Sequence, residues 1–199
     1  MDQKAIIAEL EKINQSIFSC HKCLLSQTRH TPVPGQGHPQ AKIIFVGEAP
    51  GFNEDQTGQP FCGPAGQVFD RLLNSVGLNR NQIFITNILK CRPPNNRDPQ
   101  TNEINACTPY LDKQIELINP RLICPLGRHS MKYILGKYGF VDQVKPISQI
   151  HGQTFNLGNL FQQVTIIPFY HPAVASYNQN MLPILLKDFQ ILKNFSLLN

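Results

Sequence analysis

The sequence predicts an α/β protein in which helices cover both faces of a parallel sheet. Short apolar runs alternate along the chain with amphipathic segments of helical period, which is the pattern of successive β-α-β units. The 199 residues, of which 41% are hydrophobic, are enough for one domain with a sizeable core. Since no repeat, low-complexity tract or linker divides the chain, we predict a single domain over residues 1–199 that includes an N-terminal helix within residues 1–19.

The individual elements follow from the spacing of apolar residues. The first helix is expected at residues 3–18, where isoleucines and a leucine recur at helical spacing. The remaining predicted elements are a strand at 42–47, a helix at 65–76, a strand at 82–88, a helix at 102–118, a strand at 121–127, a helix at 129–139, a hairpin of 153–157 with 161–172, and a closing helix at 181–195. Pro109 is expected to kink the helix at 102–118 or to mark a restart.

Charge and hydropathy restrict the classes of function. The net charge of +5 suits a polyanionic partner such as nucleic acid, although a solubilising surface charge explains it equally well. No stretch approaches the roughly 18 consecutive apolar residues of a membrane-spanning helix. Charged residues interrupt the first helix, where a secretory signal would need an apolar run. We therefore expect a cytoplasmic protein without a membrane partner.

Three loops are expected to meet at one edge of the sheet. They are the loop that begins at Gly47, the segment "TNILKCRPPNNRDPQ" at 86–100 and the segment "YHPA" at 170–173. Each of them follows a predicted core strand, and ligands of parallel α/β sheets bind beyond the carboxyl ends of the strands. The sequence therefore predicts a functional site where these loops converge.

The cysteines favour metal binding over disulfides. A domain of this size does not need disulfides, and a reducing compartment would not maintain them. Cys20 and Cys23 form a C-x2-C pair after the first helix, while Cys91 and Cys107 flank a loop rich in proline and asparagine. Four thiolates suit a tetrahedral zinc ion and an iron–sulfur cluster equally well. The alternative is that Cys91 and Cys107 are ordinary buried thiols.

Together, the three loops and the four cysteines resemble the family 4 uracil-DNA glycosylases, the iron–sulfur members of the uracil-DNA glycosylase superfamily. The resemblance is carried by "GEAPGFNEDQTGQPFCGPAG", "TNILKCRPP" and "HPA", and it extends over about residues 20–190. It implies a three-layer α/β/α sandwich with a central, mainly parallel four-stranded sheet. It also implies a [4Fe-4S] cluster, rather than zinc, whose ligands are Cys20, Cys23, Cys91 and Cys107.

The resemblance further implies that a monomeric enzyme acts on DNA containing uracil, single- or double-stranded. It would hydrolyse the N-glycosidic bond of deoxyuridine and leave an abasic site, as in base excision repair. The target base must first be flipped out of its stack. No lysine that would form a Schiff base is evident in the site motifs, so we expect a monofunctional glycosylase without lyase activity.

This chemistry gives expected roles to residues of the three loops. Phe61 is expected to be an exposed side chain, held in a constrained turn, that stacks on the flipped uracil, although it is alternatively a core residue. The amide of Asn87 is both a donor and an acceptor, which complements O4 and N3–H of uracil. His171 is expected to donate to O2 as negative charge develops on the departing base. The backbone near Gly47 and Ala49 is expected to surround the uracil.

The catalytic carboxylate is expected in the same glycine-rich loop. Glu48 is the first candidate, close to the uracil, and Glu54 is the second. Either side chain could orient the attacking water or stabilise an oxocarbenium-like sugar. Alternatively, backbone groups of the loop perform these tasks and Glu48 orders the loop.

Contacts to DNA are expected on both sides of the site. We predict phosphate contacts from the three cations around Cys91, with a solvated surface charge as the alternative. Residues after "HPA" are expected to wedge into the gap that the flipped base leaves. The predicted DNA-binding residues are Lys90, Arg92, Arg97, Ser176 and Tyr177.

Two other functions are compatible with parts of this pattern. The first is a non-catalytic nucleic-acid-binding module that is stapled by a metal and has kept the fold. The second is an α/β hydrolase that acts on a small phosphorylated or nucleoside substrate. The glycine-rich loop lacks both the Gly-Lys-Ser/Thr of a P-loop and the pattern of a nucleophile elbow, which counts against the second.

Overall fold

The structure is a computed structural model of the chain, and it describes residues 2–158 and 163–196. Within these two ranges, helices cover both faces of a mixed sheet of six strands. The strands are β1 (Gln36–Gly37), β2 (Ile43–Gly47), β3 (Phe84–Asn87), β4 (Leu122–Pro125), β5 (Phe155–Gly158) and β6 (Gln163–Ile166). The α-helices are α1 (Gln3–Phe18), α2 (Leu25–Thr28), α3 (Phe52–Thr57), α4 (Pro64–Asn74), α5 (Thr101–Ile118), α6 (Arg128–Lys137), α7 (Ile147–Ile150), α8 (Ala173–Tyr177), α9 (Leu182–Phe189) and α10 (Lys193–Ser196). Short 3-10 helices lie at Arg80–Gln82, Pro94–Asn96, Val141–Gln143, Gln179–Met181 and Gln190–Leu192.

The centre of the sheet is parallel. In the described part of the chain the strand order is β1-β3-β2-β4-β6-β5, and the four inner strands all run in the same direction. β1 and β5 join the two edges by antiparallel pairing. The α/β class and the parallel centre are confirmed, but the expected sheet of four strands is corrected to six among the described residues, because β5 of the predicted hairpin and the unpredicted β1 extend its two edges. β1 has only two residues, too few to produce an apolar alternation in the sequence.

The sheet separates two hydrophobic clusters. Successive side chains of a strand point to opposite faces. Accordingly, Ile44 and Val46 of β2 belong to one cluster, whereas Ile43 and Phe45 belong to the other. Helices α1, α5 and α6 cover the first face, and α4 and α9 cover the second. Three layers therefore form, as expected, and the ends of the inner strands are left free to carry the loops.

Most predicted elements are present, with differences at three places. The helix predicted at 102–118 continues as α5 through Pro109, so the restart that was one of the two expectations does not occur. Both Pro109 and Asn105, one turn earlier, are exposed, so water can satisfy the carbonyl that has lost its donor. The closing helix is divided into α9, a 3-10 turn and α10, and the glycine-rich loop contains the unpredicted helix α3. Residues 161 and 162 of the predicted hairpin lie outside the described residues.

None of the helices in the described ranges has the length and apolar character that crossing a membrane requires.

Two helical glycines should respond in opposite ways to substitution by alanine. In α4, a Cβ at Gly66 would lie 1.8 Å from the carbonyl oxygen of Phe61, whereas a Cβ at Gly136 in α6 would meet no atom within 4 Å. We expect Gly66→Ala to lower the free energy of unfolding by about 1–3 kcal/mol through overpacking. We expect Gly136→Ala to raise it by about 0.5–1 kcal/mol through the higher helix propensity of alanine. Thermal unfolding of both variants measures the difference, and equal stabilities would contradict the close packing of α4 on the Phe61 turn.

Candidate active site

A cavity of about 500 Å³ opens beyond the carboxyl ends of β2, β3 and β6. Its volume lies in the range of small-molecule sites. All three loops singled out from the sequence contribute to its wall, as expected from the parallel strands. The lining residues include Ala49, Glu54, Phe61, Asn87, His171 and Tyr177.

Gly47 allows two of these side chains to approach the end of β2. It pairs with Asn87 in the register between β2 and β3. A Cβ at Gly47 would lie 2.2 Å from Oδ1 of Asn87 and 2.8 Å from Cζ of Phe61. Any larger residue would displace both side chains, so Gly47 shapes the cavity through the absence of a side chain.

Phe61 forms an aromatic wall of the cavity, but it is not exposed as the sequence suggested. Only 5% of the residue is accessible, because its ring lies against Phe69 and His171, with ring centroids 5.2 Å and 5.5 Å away. The ring of His171 is nearly parallel to that of Phe61, at an interplanar angle of 28°. Packing in the aromatic cluster around Phe69 therefore fixes the orientation of this wall.

Arg80 holds the turn that carries Phe61. Its guanidinium donates to the carbonyl oxygens of Pro60, at 3.0 Å, and of Phe61, and it forms an ion pair of 2.6 Å with Asp70. Phe61 has a φ of 52°, in the left-handed region that a phenylalanine rarely adopts. The Arg80 contacts oppose the relaxation of this backbone. No motif or periodicity indicates this role, since Arg80 follows the predicted helix in an ordinary polar segment.

Asn87 presents an unpaired polar atom at the cavity. The residue is 2% exposed, and its Oδ1 has no hydrogen-bond partner. Among the side chains that the structure describes, it is the single buried nitrogen or oxygen in that condition. Leaving such an atom unsatisfied costs about 1–3 kcal/mol. The oxygen is therefore suited to accept a hydrogen bond from a ligand.

Lys90 is buried and donates a hydrogen bond to the backbone of Asn87. This burial corrects the prediction that its side chain contacts DNA. The residue is 1% exposed. Its ammonium donates to the carbonyl oxygen of Asn87 at 2.9 Å, to Oε1 of Gln114 at 2.8 Å and to Oγ1 of Thr86. Burial lowers the pKa of Lys90 to about 8, an effect that the nearby thiols of Cys107 and Cys91 oppose. The prediction failed because the sequence did not show that Gln114, far along the chain, supplies a buried acceptor.

His171 is a neutral hydrogen-bond donor. The backbone N–H of Ala173 donates to Nδ1 of His171 over 3.2 Å, so the neutral ring carries its proton on Nε2. Burial lowers the pKa of His171 to about 4, and the carboxylate of Glu54 opposes this only in part. At neutral pH the ring can therefore offer an uncharged N–H to a ligand in the cavity.

Glu54 ties the glycine-rich loop together. Its Oε1 accepts from the backbone N–H of Gly63 at 2.9 Å, and its Oε2 accepts from that of Gly51 at 3.0 Å. The carboxylate thus joins the beginnings of α3 and α4. This geometry supports a role for Glu54 in ordering the loop, and its assignment to the chemical step stays a prediction.

Glu48 is not among the residues that line the cavity, although its neighbour Ala49 is, and its side chain lies in a cluster of charged groups. Its Oε2 is 4.0 Å from Nε2 of His129, and Asp98 lies 3.6 Å from the same nitrogen. Burial raises the pKa of Glu48, while His129 opposes the rise. Arg128 donates to His129 at 3.1 Å and also to Asp98. Its guanidinium therefore places a positive charge close to the carboxylates of Asp98 and Glu48.

The other predicted DNA-binding residues differ in how accessible they are. Arg97 pairs with the buried carboxylate of Glu103 through contacts of 2.6 Å and 2.9 Å, and this pairing orders the loop. Arg92 lies at the surface of the same loop. Ser176 and Tyr177 line the cavity from α8, and Tyr177 is 91% exposed.

The four cysteines singled out from the sequence surround one apolar cavity. Cys20 and Cys23 face Cys91 and Cys107 between α1, α5 and the segment after β3. Among the described Cys, His, Asp and Glu residues, one group of three has its ligand atoms within 4.8 Å of one another, and it contains no cysteine.

Two N–H groups point at these sulfurs. Arg29 donates to Sγ of Cys91 at 3.1 Å, and the backbone N–H of Lys90 donates to Sγ of Cys107 at 3.2 Å. Burial raises the pKa of both thiols, that of Cys107 to about 12. The sequence analysis missed Arg29, which follows the C-x2-C pair but carries no motif of its own.

Comparison with known proteins gives consistent matches. A family model described as the uracil DNA glycosylase superfamily matches residues 34–193. A type-4 uracil-DNA glycosylase of Sulfurisphaera tokodaii is 48% identical over 94% of this chain and 85% of its own length. The corresponding enzyme of Archaeoglobus fulgidus is 41% identical over 91% of this chain and 90% of its own. That of Thermotoga maritima is 36% identical over 94% of both chains.

The depressed pKa of His171 makes a prediction about stability and pH. Between about 4 and 6.5, the unfolded chain binds a proton on this histidine that the folded protein does not. The folded state should therefore lose stability as the pH falls through this window. We expect the drop in unfolding temperature from pH 7 to pH 5 to be smaller in His171→Gln than in the wild type.

The exposed His30 offers a matched control, because His30→Gln should retain the wild-type drop. An identical pH response in His171→Gln and the wild type would show that His171 is not held neutral by burial.

Proposed function

Because the chain belongs to the uracil DNA glycosylase superfamily, we propose that it is a type-4 uracil-DNA glycosylase. In this proposal, it flips deoxyuridine out of DNA and hydrolyses the N-glycosidic bond, leaving an abasic site for base excision repair. The observation that carries the proposal is the unpaired Oδ1 of Asn87 in a cavity that it shares with Phe61 and His171.

The amide of Asn87 selects uracil by its hydrogen-bonding pattern. Oδ1 accepts from N3–H of uracil while Nδ2 donates to O4. Cytosine presents an acceptor at N3 and a donor at N4, so it would place acceptor against acceptor and donor against donor. Since Lys90 holds the Asn87 backbone and the Asn87 side chain occupies the space that Gly47 leaves by lacking a Cβ, the amide is set before the base arrives.

Phe61 and His171 contact the base from one side. Their centroids are 5.5 Å apart, which is too close for another ring to enter between them, since two stacking distances amount to about 7 Å. The base therefore stacks on the part of the Phe61 ring that His171 leaves uncovered. Nε2–H of His171 then donates to O2 as negative charge grows there, and a donor fixed in advance contributes strongly to such a step.

The glycine-rich loop supplies the environment of the sugar. Backbone groups between Gly47 and Ala49 surround the base, and Glu54 keeps the loop closed through Gly51 and Gly63. Glu48 orients the attacking water in this proposal. It adjoins Ala49, which lines the cavity; burial raises the pKa of its carboxyl group, and His129 and Arg128 oppose that rise.

In this proposal, the four-cysteine cavity holds a [4Fe-4S] cluster whose ligands are Cys20, Cys23, Cys91 and Cys107. The N–H groups of Arg29 and Lys90 that donate to two of the sulfurs suit such a cluster, because its properties depend on burial and on hydrogen bonds to sulfur. When bound, the cluster supplies a structural staple that joins α1 to the segment after β3.

The substrate is DNA that contains uracil, in single or double strands, and the protein acts as a monomeric, single-domain cytoplasmic enzyme in this proposal. Arg92 and the exposed Tyr177 and Ser176 are its DNA contacts. The enzyme is monofunctional, because the lysine nearest to Asn87, Lys90, is buried behind the site and already donates to oxygen acceptors.

Uracil release from a defined oligonucleotide tests the function. We expect the iron-replete protein to produce an alkali-cleavable site at a single dU and none at dT or dC in the same position. Asn87→Ala should lower kcat/KM by about 100-fold or more, because the site would lose the groups that match the base. The exposed Asn81 provides the control Asn81→Ala, which should retain wild-type activity.

DNA binding without uracil release by the wild type would favour the non-catalytic binding module instead. Wild-type activity in Asn87→Ala would remove the recognition role of this residue while leaving the glycosylase activity in place.

Loss of one ligand should abolish the cluster. We expect Cys91→Ser to lose the visible absorbance of an iron–sulfur cluster and most of its iron, because the cluster needs all four thiolates. Cys62 is exposed and lies outside the cysteine cavity, so Cys62→Ser should keep both signals. Full iron content in Cys91→Ser would exclude Cys91 as a ligand, and stoichiometric zinc in the wild type would exclude the cluster.

A further inference from the structure

Phe52 is an exposed aromatic residue at the edge of the candidate active site. It is the first residue of α3, it lines the same cavity as Asn87 and His171, and it is 59% exposed. Single exposed apolar residues are common on protein surfaces and need no explanation by themselves. What distinguishes Phe52 from such residues is the arginine that lies over its ring at the edge of the cavity.

Arg92 lies over the ring of Phe52. The guanidinium carbon is 5.2 Å from the ring centroid, which is cation–π geometry. Its Nε donates to Oδ1 of Asn96 at 2.7 Å, which fixes the plane of the guanidinium. Nη1 and Nη2 make no hydrogen bond or ion pair with any residue that the structure describes. Two N–H₂ groups are thus held beside an aromatic face and are free for a ligand.

The backbone that carries Asn96 is held in an unusual conformation. Asn95 and Asn96 have φ values of 54° and 53°, two consecutive non-glycine residues in the left-handed region. Such conformations cost free energy and cluster at functional sites. Asn96 also lines the cavity, so the conformation places the anchor of Arg92 at the cavity edge.

An aromatic face next to an arginine fork is suited to one unpaired nucleotide. Bases stack on aromatic side chains irrespective of sequence, and guanidinium groups bind phosphate through paired N–H donors. Arg92 covers one face of the Phe52 ring, which leaves the other face for a single base. Phe61 already forms the wall inside the cavity, so the base at Phe52 is a neighbour of the flipped one.

We propose that Phe52 and Arg92 form a subsite for a nucleotide adjacent to the flipped deoxyuridine. The neighbouring base stacks on the open face of Phe52, and Arg92 binds the phosphate of that nucleotide. This inference rests on the proposed function, because it assumes that deoxyuridine occupies the cavity at Asn87. The subsite is independent of sequence and adds affinity for DNA, and selection of uracil stays with Asn87.

Removal of the neighbouring bases tests the stacking contact. Two single-stranded oligonucleotides are compared, one with natural nucleotides on both sides of dU and one with tetrahydrofuran spacers in their place. For the wild type we expect kcat/KM to fall by about 5- to 100-fold on the spacer substrate, because base–aromatic stacking contributes about 1–3 kcal/mol. In Phe52→Leu, which keeps an apolar side chain without the ring, the two substrates should differ by less than about twofold.

Phe18→Leu is the matched control. Phe18 is 53% exposed but does not line the active-site cavity, so this variant should keep the wild-type preference. An unchanged preference in Phe52→Leu, or no preference in the wild type, would overturn the subsite. If the wild type released no uracil from both substrates, the proposed function would be overturned instead. The two failures are therefore distinguishable.

Salt dependence tests the phosphate contact. For binding to a single-stranded oligonucleotide with an abasic analogue, we expect Arg92→Gln to reduce the slope of log K against log salt by about 0.7, one phosphate contact. Arg121 is exposed at the start of β4, at the opposite end of the sheet, so Arg121→Gln should leave the slope unchanged. Equal slopes in Arg92→Gln and the wild type would overturn the phosphate contact.

Discussion

The site depends on one close approach, at the point where β2 and β3 end side by side. Gly47 pairs with Asn87 there, and the space that a Cβ would fill is taken by Oδ1 of Asn87 and the edge of the Phe61 ring. The register of two parallel strands therefore decides how far apart the hydrogen-bonding group and the aromatic wall lie. Because both strands are in the centre of the sheet, this spacing is as rigid as the core itself.

Charged side chains that bind the backbone extend that rigidity into the loops. Arg80 fixes the turn at Phe61, Glu54 closes the glycine-rich loop, and Lys90 holds the backbone of Asn87. Each anchor uses a charged group to satisfy backbone atoms that would otherwise have no partner, and such bonds are stronger than neutral ones. The loops consequently need little reorganisation when a ligand binds, which is the condition under which fixed dipoles contribute most to catalysis.

Local patterns in the sequence predicted the inner strands, the long helices, the convergence of three loops and the grouping of four cysteines. They did not predict what depends on contacts between distant segments. Lys90 was predicted to be a surface cation, but Gln114 of α5 provides a buried acceptor for it. Phe61 was predicted to be exposed, but Phe69 packs against its ring. Arg29 and Arg80 act through contacts with distant residues that leave no periodicity or motif in the sequence. The two-residue strand β1 is likewise too short to leave one.

The packing of α1 has a consequence for the order in which the chain folds as it leaves the ribosome. The apolar stripe of α1 is buried in the same cluster as residues of α5, which is synthesised much later. Until α5 emerges, that stripe lacks the helix against which it packs in the folded protein. The nascent chain therefore carries an uncovered amphipathic helix through about half of its synthesis, a form to which chaperones bind and from which aggregates start. Completion of α5, rather than of the N-terminal segment itself, is the event that ends this exposure.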